Sequence, residues 1–142
     1  MAREYITRAR RTLEEAKSAF GDEDSPLTIR RAQEAAELSL KAALRFLAVE
    51  YPREHDMRDV LLAVVASRSL PEWFRSEVEF MADASSDLAR KRGPAFYGDE
   101  QALKPPSQLF TRSDAAKALE DSEHIYRICM KLIESKEEIS NT

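Results

Sequence analysis

The sequence lacks most of the features on which other fold classes depend. It has a single cysteine, Cys129, so it can form no intrachain disulfide and no cysteine-rich zinc site. Its 3 glycines and 6 prolines are fewer than the turns of a β-sandwich or barrel need. The longest strictly apolar run, Val60 to Ala66, is far shorter than the roughly 20 residues of a membrane-spanning helix. With no signal-peptide pattern at the N-terminus, these absences predict a cytoplasmic protein without membrane association.

Charge is abundant but nearly balanced. The chain has 22 Lys and Arg against 26 Asp and Glu, a formal net charge of −4, so no overall basic excess points to nucleic acid as a partner. A content of 43% hydrophobic and 34% charged residues is too apolar for a disordered chain and is typical of a soluble helical domain. We expect one domain over residues 1–142, with a core at about 3–136 and a frayed tail at 137–142.

Apolar residues recur at three- and four-residue spacing through most of the chain, which indicates amphipathic helices. The predicted helices cover about 3–20, 26–51, 57–68, 71–92 and 113–136. Ser25 and Asp56 are predicted to cap the second and third helices, and Thr111 or Ser113 the last. Gly93-Pro94 is predicted to break the fourth helix and leave 93–110 as a long connection. The expected fold is an all-α, antiparallel up-and-down bundle of about five helices, four long and one short.

The second helix is apolar over more of its circumference than one bundle-facing stripe requires. Ala35, Leu38, Leu44 and Phe46 widen the apolar surface beyond the main stripe. Such a helix either lies at the centre of the bundle or faces a second subunit.

Catalytic and metal-binding patterns are absent. The two histidines, His55 and His124, are too few for a di-iron bundle, and no His-Glu-x-x-His motif occurs. Neither Ser122 nor Cys129 shares a helix face with His124. No glycine-rich phosphate loop occurs either. We therefore predict no metal, no cofactor and no catalytic residue.

Three clusters of basic residues occur, at Arg8-Arg10-Arg11, Arg30-Arg31 and Arg90-Lys91-Arg92. Solvated helix faces are the ordinary explanation for each. The third cluster leads into Phe96-Tyr97, and an arginine fork beside an aromatic ring can bind phosphate and stack on a base. Arg90 and Arg92 are turned by roughly 200° on a helix, so only one can face a given cleft unless the helix ends between them.

Four segments together resemble the HEPN domain family. Residues 31–44, RAQEAAELSLKAAL, resemble its Gln…Ala…Glu…Lys-Ala…Leu signature, and His55-Asp56 resembles the His-Asp that opens its next helix. Leu88 to Asp99 resembles the arginine-bearing segment before its final helix, and Ala115 to Arg127 is similar to that helix. The resemblance extends over about residues 3–134.

The resemblance implies a five-helix bundle, usually homodimeric, that often partners a minimal nucleotidyltransferase in a toxin–antitoxin or stress pair. Some members are ribonucleases in which Arg precedes His by four to six residues. This spacing is absent here, because Arg53 lies too close to His55 and Arg112 too far from His124. The Arg-Tyr-Pro of the family's nucleotide-binding branch is also altered, since Arg92-Gly93-Pro94 comes before Tyr97.

We therefore expect a non-catalytic HEPN-type binding module for a nucleotide, RNA or a nucleotidyltransferase partner. Its expected binding residues are Arg90, Arg92, Tyr97, His55 and Asp56. A divergent ribonuclease with a composite dimer site, built from Arg90, Arg92 and His55, is one alternative. A purely structural helical dimer is another, in which Arg92 pairs with Asp99 or Glu100 to fix the following loop.

Overall fold

The computed structural model describes residues 1–51 and 55–140, with side chains described up to residue 135. These residues form six helices: α1 (Ala2–Gly21), α2 (Ser25–Phe46), α3 (Arg58–Ser67), α4 (Glu72–Tyr97), α5 (Pro106–Leu109) and α6 (Arg112–Ser140). The described ranges contain no strand, only an isolated antiparallel bridge between Asp99 and Lys104. The predicted all-α fold is confirmed, with two short helices, α3 and α5, in place of one.

The long helices α1, α2, α4 and α6 form a bundle with α2 at its centre. Arg30 faces Phe96 and Gln33 faces Arg92, so α2 and α4 run in opposite directions. Helix α2 packs against α1, α4 and α6, and both Ala35 and Leu44 are fully buried. Of the four residues that widen the apolar surface of α2, these two are thus covered within one chain, whereas Leu38 and Phe46 are half-buried.

Both ends of α2 differ from the prediction. Asp24, and not Ser25, is the N-terminal cap, since its Oδ1 accepts a hydrogen bond of 3.1 Å from the Leu27 amide. The helix ends at Phe46, several residues early, because Ala48 adopts a left-handed conformation with φ 57°. The Val49 amide then donates to the Leu44 carbonyl at 2.9 Å, which closes the helix end.

The predicted break at Gly93-Pro94 is wrong, because α4 continues to Tyr97. A proline inside a helix removes one hydrogen bond and costs about 3 kcal/mol. Tertiary contacts of the last turn oppose that cost, since Ala95 is buried and the Phe96 ring stacks on a side chain of α2. The helix ends instead at Gly98, whose amide donates to the Pro94 carbonyl at 2.9 Å.

The connection from α4 to α6 is therefore shorter than predicted, and it contains the short helix α5. Asp99 and Lys104 exchange two backbone hydrogen bonds, of 2.8 and 3.0 Å, which close a tight loop. Leu103 at its tip has φ 57° and is 87% exposed. Thr111 then caps α6: its Oγ1 accepts from the Asp114 amide and its own amide donates to the Asp114 carboxylate.

Helix α6 packs along α2 and extends past its predicted end at 136. The Ser122 hydroxyl donates to the Ala32 carbonyl at 2.8 Å, and both residues are fully buried. Cys129 is fully buried, and this burial raises the pKa of its thiol. Residues 141–142 of the predicted frayed tail lie outside the described residues.

Candidate functional site

Arg92 lies against α2, near the C-terminal end of α4. Its Nη1 donates a hydrogen bond of 2.6 Å to the Gln33 side-chain oxygen and lies 4.0 Å from a Glu34 carboxylate oxygen. Gln33 is 2% exposed, so this bond satisfies a polar atom inside the helix interface. Arg92 therefore pairs with α2, and not with Asp99 or Glu100 as the structural alternative supposed.

The Phe96 ring connects Arg92 to a second arginine, Arg30 of α2. The guanidinium carbon of Arg30 lies 3.5 Å from the ring centroid, and that of Arg92 lies 5.6 Å from it. Tyr97 stacks beside Phe96 with centroids 5.6 Å apart and is 71% exposed. The arginine–aromatic cluster, as we name it, consists of Arg30, Gln33, Arg92, Phe96 and Tyr97.

His55 lies near this cluster along α2. Its Nδ1 and the Glu37 Oε1 are 2.7 Å apart, and Glu37 is one helical turn from Gln33. Side chains at this spacing have Cβ atoms about 5–6 Å apart, so the partner of His55 is one helical turn from the partner of Arg92. Arg53 lies outside the described residues.

Asp56 has a structural position at the start of α3. Both of its carboxylate oxygens lie 2.9 Å from the Ser86 hydroxyl, which donates to them, and Oδ1 also accepts from the Arg58 amide. The residue thus ties the first turn of α3 to α4, but Met57, and not Asp56 as predicted, is the N-terminal cap of α3.

Arg90 projects from another side of α4 than Arg92, as the 200° rotation predicts. Its Nη2 lies 3.3 Å from the Asp87 Oδ1. Together with Lys117 and Asp121, Arg90 lines a cavity of about 480 Å³ between α4 and α6. Burial raises the pKa of Asp87, but the hydrogen bond from Lys91 and the nearby positive charges outweigh it and lower the pKa overall. Within one chain, then, Arg90 does not join the arginine–aromatic cluster.

The sequence interpretation did not assign Arg30 or Gln33 to the site. One signal was available: Gln33 follows Ile29 by four residues and precedes Ala36 by three, so a polar residue stands on the buried face of α2. Such a residue needs a polar partner from another helix. The sequence does not say which helix supplies it.

The part of the chain that the structure describes contains no group of three or more His, Cys, Asp or Glu residues placed to hold a metal ion. No helix within it is both long and apolar enough to cross a membrane.

The HEPN domain family model matches residues 2–135, so this chain belongs to the HEPN family. The crystal structure of TT1696 from Thermus thermophilus is similar, with a TM-score of 0.71 and 26% identity over 92% of this chain and 97% of that one. The structure of ST0689, an archaeal HEPN homologue, has a TM-score of 0.71 and 22% identity over 94% of this chain and 98% of its own. No curated protein matches the chain.

Proposed function

We propose that this HEPN protein is a non-catalytic binding module that takes a nucleotide at the arginine–aromatic cluster. The observation that carries the proposal is the convergence of Arg30 and Arg92 on the Phe96 ring, beside the exposed ring of Tyr97. Guanidinium groups match phosphate oxygens with two parallel hydrogen bonds, and an exposed aromatic face can stack with a base. His55 contacts α2 one helical turn from Gln33, at Glu37.

A minimal nucleotidyltransferase partner is the second candidate ligand. Exposed apolar side chains at the end of α4 and in the loop that follows it favour this candidate. Tyr97 and Leu103 are 71% and 87% exposed, and aromatic and arginine residues are enriched in protein interfaces. The protein would then form half of a toxin–antitoxin or stress pair. Co-expression with a minimal nucleotidyltransferase encoded beside it tests this candidate: co-purification supports it, and separate elution contradicts it.

The ribonuclease alternative has less support. Arg90 pairs with Asp87 of its own helix whereas Arg92 binds Gln33 of α2, and the Glu37 carboxylate already engages the Nδ1 of His55. A histidine base must also reach the proton it removes, and the family's Arg-to-His spacing is absent from the sequence.

We also propose that the protein is a homodimer. Its membership of the HEPN family supports this proposal, because such domains are usually homodimeric.

Substitution of Tyr97 tests nucleotide binding most directly. Because its side chain is largely exposed, Tyr97→Ala should keep the melting temperature of the wild-type protein. We expect calorimetry to show about tenfold weaker binding of a nucleoside 5′-monophosphate, since stacking contributes roughly 1–3 kcal/mol per base. Arg92→Ala should weaken binding at least as much, but it should also lower stability because it leaves the Gln33 oxygen unpaired.

Arg10→Ala is the matched control, because Arg10 is an exposed arginine on α1. It should bind the nucleotide as the wild type does. A wild-type protein that binds no nucleotide at millimolar concentration contradicts the proposal, and so does unchanged affinity in both the Tyr97→Ala and Arg92→Ala variants.

A further inference from the structure

Arg30 holds an unpaired donor inside the helix interface. Its Nε is buried and has no hydrogen-bond partner, the one such side-chain atom among the residues the structure describes. Buried polar groups in folded proteins are nearly always paired, so an unpaired guanidinium N–H needs an explanation. Because Nε is closed to solvent, no ligand can reach it, and any ligand contact of Arg30 must come from its two Nη atoms.

The contact with Phe96 fixes the orientation of the Arg30 guanidinium without using its donors. At 3.5 Å from the ring centroid, the guanidinium lies over the face of the ring. This stacking engages the flat face of the group, whereas its N–H donors lie in its plane and point outward along its edge. The ring therefore holds Arg30 in place while the donors on its two Nη atoms remain available to an acceptor.

The neighbouring carboxylates are already engaged by another arginine. Arg31 lies 3.1 Å from Glu34 and 3.0 Å from Glu15, and Glu34 is also the carboxylate nearest to Arg92. In the part of the chain that the structure describes, Arg30 has no carboxylate within ion-pairing distance. The positive charge on Arg30 is thus the one in this cluster without a matching anion.

We infer that Arg30, stacked on Phe96, binds the terminal phosphate monoester of the ligand, with Arg92 as the second guanidinium. This inference rests on the proposed nucleotide-binding function and names the class of ligand more closely. A terminal monoester has three free oxygens: two can accept from the Nη donors of Arg30, and the third can accept from Arg92. A phosphodiester, as in an RNA backbone, has only two free oxygens and a single charge. The site should therefore prefer a nucleoside monophosphate to an RNA strand.

Arg30→Lys tests the inference, because it keeps the charge but removes both the planar stacking and the paired donors. The probes are inorganic phosphate, adenosine 5′-monophosphate and the diester ApA, titrated by calorimetry at constant ionic strength. We expect the wild type to bind the monoester about tenfold more tightly than the diester, and Arg30→Lys to lose about tenfold in affinity for phosphate and monoester. Phe96→Leu should show the same loss, because it removes the ring that orients Arg30. Arg10→Lys, on α1, should bind as the wild type does.

The outcomes separate this inference from the proposed function. Nucleotide binding that depends on Tyr97 but is unchanged in Arg30→Lys overturns the inference and leaves the function standing. Equal affinity for monoester and diester also overturns it. A third outcome is that the wild type binds phosphate and adenosine 5′-monophosphate with equal affinity and Arg30→Lys loses both. It supports the Arg30 site and contradicts the nucleotide function. If the wild type binds none of the probes, both proposals fail.

Discussion

Gly98 ends α4 in a conformation that other residues avoid. Its φ of 72° and ψ of −157° belong to a region that is essentially restricted to glycine. A Cβ at this position would lie 2.2 Å from the Lys104 carbonyl oxygen and 3.0 Å from the backbone of Pro105. Since backbone atoms would have to move, we expect Gly98→Ala to lower the free energy of unfolding by about 1–3 kcal/mol. Urea denaturation measures the change.

Gly93 provides the matched control within the same helix. A Cβ there would meet no atom within 4 Å beyond its chain neighbours and its own helix, and Gly93 lies in the interior of α4. The gain of about 0.5–1 kcal/mol usual for Gly→Ala inside a helix is opposed by Pro94, which disfavours helical backbone in the residue before it, so Gly93→Ala should change stability less than Gly98→Ala does. Equal effects of the two substitutions would contradict the importance of the Gly98 conformation.

Individual residues of the candidate site were proposed from the sequence where the signal is local. The arginine cluster followed by two aromatic residues led to Arg92 and Tyr97 from a short stretch of sequence. Gln33 stands 59 residues from Arg92, and their hydrogen bond depends on the register of α2 against α4. Helical periodicity gives the face of each helix but not how far one helix slides along another, so this pairing could not be predicted.

Among the elements, α6 depends on a reciprocal cap at its first turn. The Thr111 hydroxyl accepts from the Asp114 amide at 3.1 Å, and the Asp114 carboxylate accepts from the Thr111 amide at 2.8 Å. We expect Thr111→Ala to lower the free energy of unfolding by about 1 kcal/mol, as is usual for the loss of such a cap. Ser113, the other residue predicted as a cap, serves as the control in thermal denaturation. A larger effect from Ser113→Ala would contradict the assignment of the cap to Thr111.

The positions of the long helices followed from apolar periodicity, but their ends did not. Helix α4 passes through Gly93-Pro94 because Ala95 and Phe96 are held by contacts with the rest of the bundle. Pro94 lowers the local helix propensity, and this propensity does not include tertiary contacts. The early end of α2 has a similar origin, since nothing in the sequence marks Ala48 for a left-handed conformation.

For the whole molecule, the proposed homodimer is directly measurable. Sedimentation equilibrium at micromolar concentration should give about twice the 16.2 kDa mass of the chain. Leu103→Asp puts a charge on the exposed loop between α4 and α5. If that loop lies in the dimer interface, the substitution should shift the monomer–dimer equilibrium toward monomer. A wild-type mass that stays at that of one chain would contradict the dimer.

The buried thiol of Cys129 can report how often the folded bundle opens around α6. The side chain is fully enclosed and the sequence has no other cysteine, so a thiol-reactive reagent cannot reach it while α6 stays packed. Modification must wait for fluctuations that expose the middle of α6, and its rate measures how often they occur. A ligand held between α2 and α4 would slow that rate only as far as it stabilises the folded bundle. The modification rate of this one native cysteine can thus report the binding of a ligand at a distant surface.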